Sequence, residues 1–110
     1  MGFTVERVGE VTIIVVNGEI TVGNRGELKE TVLAQLAAGA QTFVIDFAKT
    51  GYIDSSGLGV LVSLSKRIRE TGGLLRLAAL NQDLRTLFEL TRLDTLFQIS
   101  DDRAAALAEF

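Results

Sequence analysis

At 110 residues the chain suits one domain, and with 47% hydrophobic residues it can build one substantial core. A net charge of −3 gives no electrostatic footprint for nucleic acid, and no basic run marks a membrane surface. The absence of Cys and His excludes disulfides, thiolate zinc sites, thiol nucleophiles and every imidazole-dependent triad.

No apolar run reaches membrane-spanning length, and the opening "MGFTVERVGEV" has no signal-peptide core. After Gly2, Val5 and Glu6 argue against a myristoylation signal. These features predict one cytoplasmic domain over residues 1–110, without metal or cofactor.

Residues 4–9 read as a first strand. Residues 11–18, "VTIIVVNG", form a β-branched run closed by the turn pair Asn17-Gly18. In residues 24–39, Leu28, Val32 and Leu36 recur at steps of four, a helical stripe, and Gly39 stops it. "TFVIDF" is a short buried strand. A helix follows over residues 56–70, ended by Gly72-Gly73, and "LLRLAAL" is the next strand. Asn81 caps a helix whose Leu84, Leu87, Phe88 and Thr91 share a face. "LFQIS" reads as the last strand and "DDRAAALAEF" as a final helix opened by acids. Strands alternating with helices predict an α/β domain with parallel pairs, the first two strands adding an antiparallel hairpin.

Between a strand and a helix lies "IDSSGLGVL", residues 53–61. Four readings of it compete. Asp54 or Ser55 is a helix N-cap, whose side-chain oxygen accepts from free N–H groups of the first turn. As a phosphate cradle the motif is weak: Val62 occupies the third glycine place, and no Gly-Lys-Ser/Thr follows. As a nucleophile elbow it fails, because Ile53 stands where the first glycine belongs and no His exists. The fourth reading makes a serine the substrate. A phosphate at a helix N-terminus meets free N–H donors and the positive end of the dipole.

Winding the helix from Ser55 at about 100° per residue places Gly59, Val62 and Lys66 near its own side, with Leu58 at the edge. Leu61, Leu64 and Ile68 point elsewhere and are expected in the core, with Val60 at their edge. Gly59 permits close approach of a partner backbone. Val62 is expected as an exposed apolar contact, Asp54 as cap and positioner of the serine, and Asp46 as a loop organiser. Tyr52 is expected on the same surface.

Residues 43–80, "FVIDFAKTGYIDSSGLGVLVSLSKRIRETGGLLRLAAL", resemble the central region of the STAS domain, and more narrowly the bacterial anti-sigma factor antagonists. That family shows a strand ending in Asp, then a hydrophobic residue with DSSGLG or DSTGLG, then a helix and Gly-Gly. "VNGEI", "GELKETV" and "LRTLFELTRLDTLFQI" extend the likeness over nearly the whole chain. The resemblance implies one STAS domain with a small mixed sheet, an N-terminal hairpin plus parallel strands, covered by about four helices.

It also implies partner switching by a protein that is not an enzyme. The unmodified antagonist binds an anti-sigma factor serine kinase, which frees a sigma factor. Phosphorylation of Ser55 ends the binding, and a PP2C-type phosphatase reverses the mark. Asp54, Ser56, Gly57, Leu58, Gly59, Val62 and Lys66 are the expected partner-binding residues. Many antagonists carry an acid two residues after the Gly-Glu of the early passage. Here "GEIT" places Thr21 there, and Thr21 joins the partner surface. A monomer or weak dimer is expected. Two other readings stay open: a scaffold subunit of a larger regulatory assembly, and a weak nucleotide-binding module suggested by Gly57 and Gly59 at a helix start.

Overall fold

The computed structural model describes residues 2–110. Strands β1 (Phe3–Val8) and β2 (Val11–Val16) form the antiparallel hairpin, with Val8 paired to Val11 across Gly9-Glu10. Then come α1 (Arg25–Ala37), β3 (Thr42–Asp46), α2 (Ser55–Glu70), β4 (Leu74–Ala78), α3 (Gln82–Leu90), a 3-10 turn at Leu93–Thr95, β5 (Gln98–Ser100) and α4 (Arg103–Ala108). The five strands lie side by side in chain order, and every pair after the hairpin is parallel. The predicted mixed sheet with four helices is the observed architecture.

Strand β2 is buried at every position because both of its faces are covered. Successive side chains alternate between faces. Ile14 and Val16 join Phe43, Ile45 and Leu77 in the main core beneath α1, α2 and α3. Val11, Ile13 and Val15 join Val44, Ala78 and Ala106, the last from α4. The stripes read from the sequence supply the helix side: Leu28 and Val32 from α1, Leu61, Leu64 and Ile68 from α2, Leu84 and Phe88 from α3. Leu36 is half-buried against this core, and Gly39, with φ +103°, turns the chain out of α1.

Three local expectations shift. Helix α2 begins at Ser55, one residue earlier than predicted, because Asp54 is its N-cap. The last strand shrinks to Gln98–Ser100. Arg92 adopts a left-handed backbone, with φ +63°, the 3-10 turn follows, and Phe97 turns into the core, edge-on to Phe88 at 5.9 Å. Thr91 is not part of the apolar face of α3. It is exposed at the helix C-cap, its hydroxyl donating to Leu87 O at 2.8 Å.

Residues 47–54 lead from β3 to α2 and are pinned from several sides. Phe47 N donates to Ala78 O at 2.9 Å, and Thr50 Oγ1 to Val16 O at 3.3 Å. Asn81 caps α3 through Leu84 N and also donates through Nδ2 to Thr50 O. Asp46 organises the start of this loop, as expected: its Oδ1 accepts from Ala48 N at 2.9 Å. Its Oδ2 accepts from Arg103 of α4, and the same guanidinium reaches Glu6 of β1 at 2.8 Å.

Candidate functional site

The site grows from the way residues 53–57 are laid against the loop after β2. Ile20 and Ile53 form a parallel bridge. Ile20 N donates to Tyr52 O at 3.1 Å, and Asp54 N donates to Ile20 O at 3.0 Å. The β2–α1 loop and the start of α2 are thereby fastened edge to edge.

Asp54 then organises the helix entry. Its Oδ1 accepts from Gly57 N at 2.8 Å, the N-cap bond, and from Ser56 Oγ at 2.7 Å. Its Oδ2 accepts from Val22 N at 3.0 Å, across the loop. The Ser56 hydroxyl, the Gly57 N–H, the Val22 N–H and the Ser56 N–H all favour the carboxylate. Led by the Ser56 hydroxyl and the Gly57 N–H, they outweigh an opposing desolvation and hold Asp54 below its ordinary value of 3.8, so it is ionised at neutral pH.

The two serines consequently differ. Ser56 is half-buried and its hydroxyl is committed to Asp54. Ser55 is exposed on the first residue of α2, and no hydrogen bond among the described residues engages its hydroxyl. It sits at the N-terminus of a sixteen-residue helix, where first-turn N–H groups lack intrahelical partners.

The helical stripe emerges on the surface: Ser55, Gly59 and Lys66 are exposed and Val62 is partly so. Val62 also packs against the edge of the main core, so it is less free than an isolated surface contact. Two residues assigned to the partner surface turn inward. Leu58 is 7% exposed and belongs to the core. Gly57 is buried, and a Cβ there would lie 2.8 Å from Ile20 Cγ2 and 2.9 Å from Ile53 Cγ2. Its smallness serves the fastening of the loop. Nothing lies within 4 Å of a Cβ built on Gly59. An open, exposed helical glycine has no structural need to be glycine and weakens the helix relative to alanine.

Thr21 lies in the fastened loop. It is half-buried, its Oγ1 accepts from Gly23 N at 3.2 Å and its N–H donates to Asn24 Oδ1 at 2.9 Å. The side chain therefore shapes the loop in front of α1. Sequence reasoning missed the next residue, Val22, which is 68% exposed and holds Asp54 through its backbone. An N–H bond across thirty-two positions leaves no signal in residue type. Tyr52 is exposed beside the motif, as expected. Among the described residues no group of three or more acids gathers as a metal site, and no helix is long and apolar enough to cross a membrane.

Comparison with known proteins places this geometry. The STAS domain model matches residues 3–106. The anti-sigma-B factor antagonist of Bacillus subtilis is 35% identical over 83 residues, spanning 76% of this chain and 75% of that protein. The crystal structure of the Thermotoga maritima protein TM1081 superposes with a TM-score of 0.92 at 30% identity, covering 97% of this chain and 92% of that one. An anti-sigma factor antagonist from Mycobacterium paratuberculosis superposes with a TM-score of 0.88 at 25% identity, covering 97% and 91%. A match over almost the entire chain, together with the strand order and the serine-bearing helix entry, means that the chain belongs to the STAS domain family, among its anti-sigma factor antagonists.

Proposed function

We propose that the unmodified chain binds an anti-sigma factor that is also a serine kinase, so that a sigma factor is released. Phosphorylation of Ser55 ends that binding, and a PP2C-type phosphatase restores it. The domain itself catalyses nothing. The single observation that carries the choice of residue is the contrast between the serines: Ser56 Oγ is bound to Asp54 at 2.7 Å, while Ser55 is exposed and unengaged.

In the transfer, Ser55 Oγ attacks the γ-phosphorus of ATP and the bond to ADP breaks. The hydroxyl proton passes to a base of the kinase, which also holds the Mg²⁺. The new group carries a charge of about −1.5 to −2. At the start of α2 it meets the positive end of the helix dipole, which offsets repulsion from the neighbouring Asp54 carboxylate, so no strong force drives the helix to unwind. Against a kinase surface the same charge must be desolvated, and an unpaired charge at an interface costs several kcal/mol. The switch then lives in the interface, and the stripe of Gly59, Val62 and Lys66 is the surface it controls.

Incubating the protein with its cognate kinase and ATP, followed by site mapping, tests the assignment. Phosphate is expected on Ser55, and Ser55→Ala is expected to bind the kinase and stay unmodified. Phosphate on Ser56 alone would overturn it.

A further inference from the structure

Beside the stripe, where Leu58 marks its edge, the start of α2 and the length of α3 line an open groove of about 380 Å³. This is the lower end of the range for sites that take small molecules, and it suits one or two side chains. Its floor is apolar, with Leu58, Leu84 and Leu87, and Tyr52 stands at its edge. The charged residues lining it are Asp54 and Asp83, and no Lys or Arg lines it. Ser55 is part of its wall.

The composition rejects an anionic ligand and matches a long cationic side chain. An Arg or Lys lays its methylene stem on apolar surface while its head stays with the carboxylates. Phosphorylation of Ser55 would raise the negative charge of this wall at the moment it raises the cost of docking the kinase. We infer that the groove between α2 and α3 is the docking site of the phosphatase, which inserts a basic side chain there and binds the Ser55-phosphorylated form in preference to the unmodified one. The inference rests on Ser55 as the phosphoacceptor. It assigns two surfaces next to one residue to different partners: the Gly59 stripe is read by the enzyme that adds the mark, the Asp83 groove by the enzyme that removes it. In the removal, water attacks phosphorus at the phosphatase metal site, the Oγ–P bond breaks, and the Ser55 hydroxyl and inorganic phosphate are released.

Asp83 is exposed on the first turn of α3, so its replacement leaves the core intact. Asp83→Lys reverses the local charge, and Thr91→Trp, at another exposed lining position, fills the groove without altering charge. Each full-length variant is phosphorylated by the cognate kinase, repurified, and then treated with the cognate phosphatase, with both rates measured. Binding of the metal-stripped phosphatase to each phosphorylated form is measured in parallel. For one close charge pair in partial solvent, the expected loss in dephosphorylation kcat/KM and in affinity for Asp83→Lys is roughly tenfold. The wild-type advantage should shrink with added salt, Thr91→Trp should show a similar loss, and phosphorylation rates should stay unchanged. Phosphate on Ser55 with dephosphorylation unaltered in both variants, or with both reactions slowed alike, would overturn this inference alone. No phosphate on Ser55 in the wild-type chain would overturn the underlying reading and this one with it.

Discussion

Gly57 and Gly59 are two residues apart on one helix, yet adding a methyl group to each should move stability in opposite directions. At Gly57 the new Cβ would meet Ile20 Cγ2 at 2.8 Å, Ile53 Cγ2 at 2.9 Å and Ile20 O at 3.2 Å. Ile20 and Ile53 are 0% and 2% exposed, and Ile20 O already holds Asp54 N, so none of the three can swing aside. Overpacking of this kind costs about 1–3 kcal/mol. The better helix propensity of alanine returns about 1 kcal/mol, which leaves Gly57→Ala destabilised by up to about 2 kcal/mol. At Gly59 the methyl enters open space and only the propensity gain remains, about 0.5–1 kcal/mol of stabilisation. The propensity gain is common to both variants, so they should differ by the overpacking cost alone, about 1–3 kcal/mol, or about 4–12 °C in melting temperature for a domain near this size. Urea unfolding followed by circular dichroism, with a thermal melt of each variant, measures both signs. Equal melting temperatures would refute the argument, since Ile20 and Ile53 would then yield freely. The kinase supplies a second readout: on the proposed interface Gly59→Ala should bind it more weakly although the domain is more stable.

Asp54→Asn should lose the part of the capping that depends on charge. The folded carboxyl lies below 3.8, so its contribution is fully present above about pH 4 and is lost as pH falls through the folded value. The stability gap between wild type and variant, followed by melts from pH 7 to pH 2, should be widest near neutrality and close in acid. Val62→Arg should weaken kinase binding by about 1–2 kcal/mol, read by calorimetric titration. Because Val62 also touches the core edge, its melt should show a smaller loss in parallel. Arg103→Met should cost about 2 kcal/mol, because Asp46 is buried and would lose both contacts from a guanidinium whose own side chain is only one-third exposed. Denaturant midpoints test this, and a cost below about 0.5 kcal/mol would make the pair merely superficial.

Most of the fold was legible because apolar periodicity reports burial. The steps of four in α1 and the β-branched runs of β2 and β3 are direct consequences of which faces are covered. The start of β5 was not legible, because it depends on Phe97 finding Phe88, a contact between separate elements. Within the site, the residue types at 54–59 pointed to a capped, serine-bearing helix entry, and the exposed stripe followed from helical geometry alone. The inward turn of Leu58 and the steric need for Gly57 were hidden, since both are set by Ile20 and by elements distant in sequence. The hydrogen bond that commits Ser56 to Asp54 was hidden too, because it depends on which hydroxyl the carboxylate reaches.

The side-by-side order of the strands bears on how the chain is made. Each strand after the first lies next to the one that precedes it in sequence, so a chain emerging from its N-terminus can add β3, β4 and β5 to an existing edge without displacing anything. Only the hairpin closes through a short turn, and each parallel crossover is shortened by the helix it carries, α1, α2 or α3. The exception is Arg103, which joins Glu6 across ninety-seven positions and Asp46 across fifty-seven. That clasp cannot close until nearly the whole domain has been synthesised. It holds α4 on the second face of the sheet, where Ala106 packs with Val44 and Ala78, so that face is covered only once the C-terminal helix has emerged.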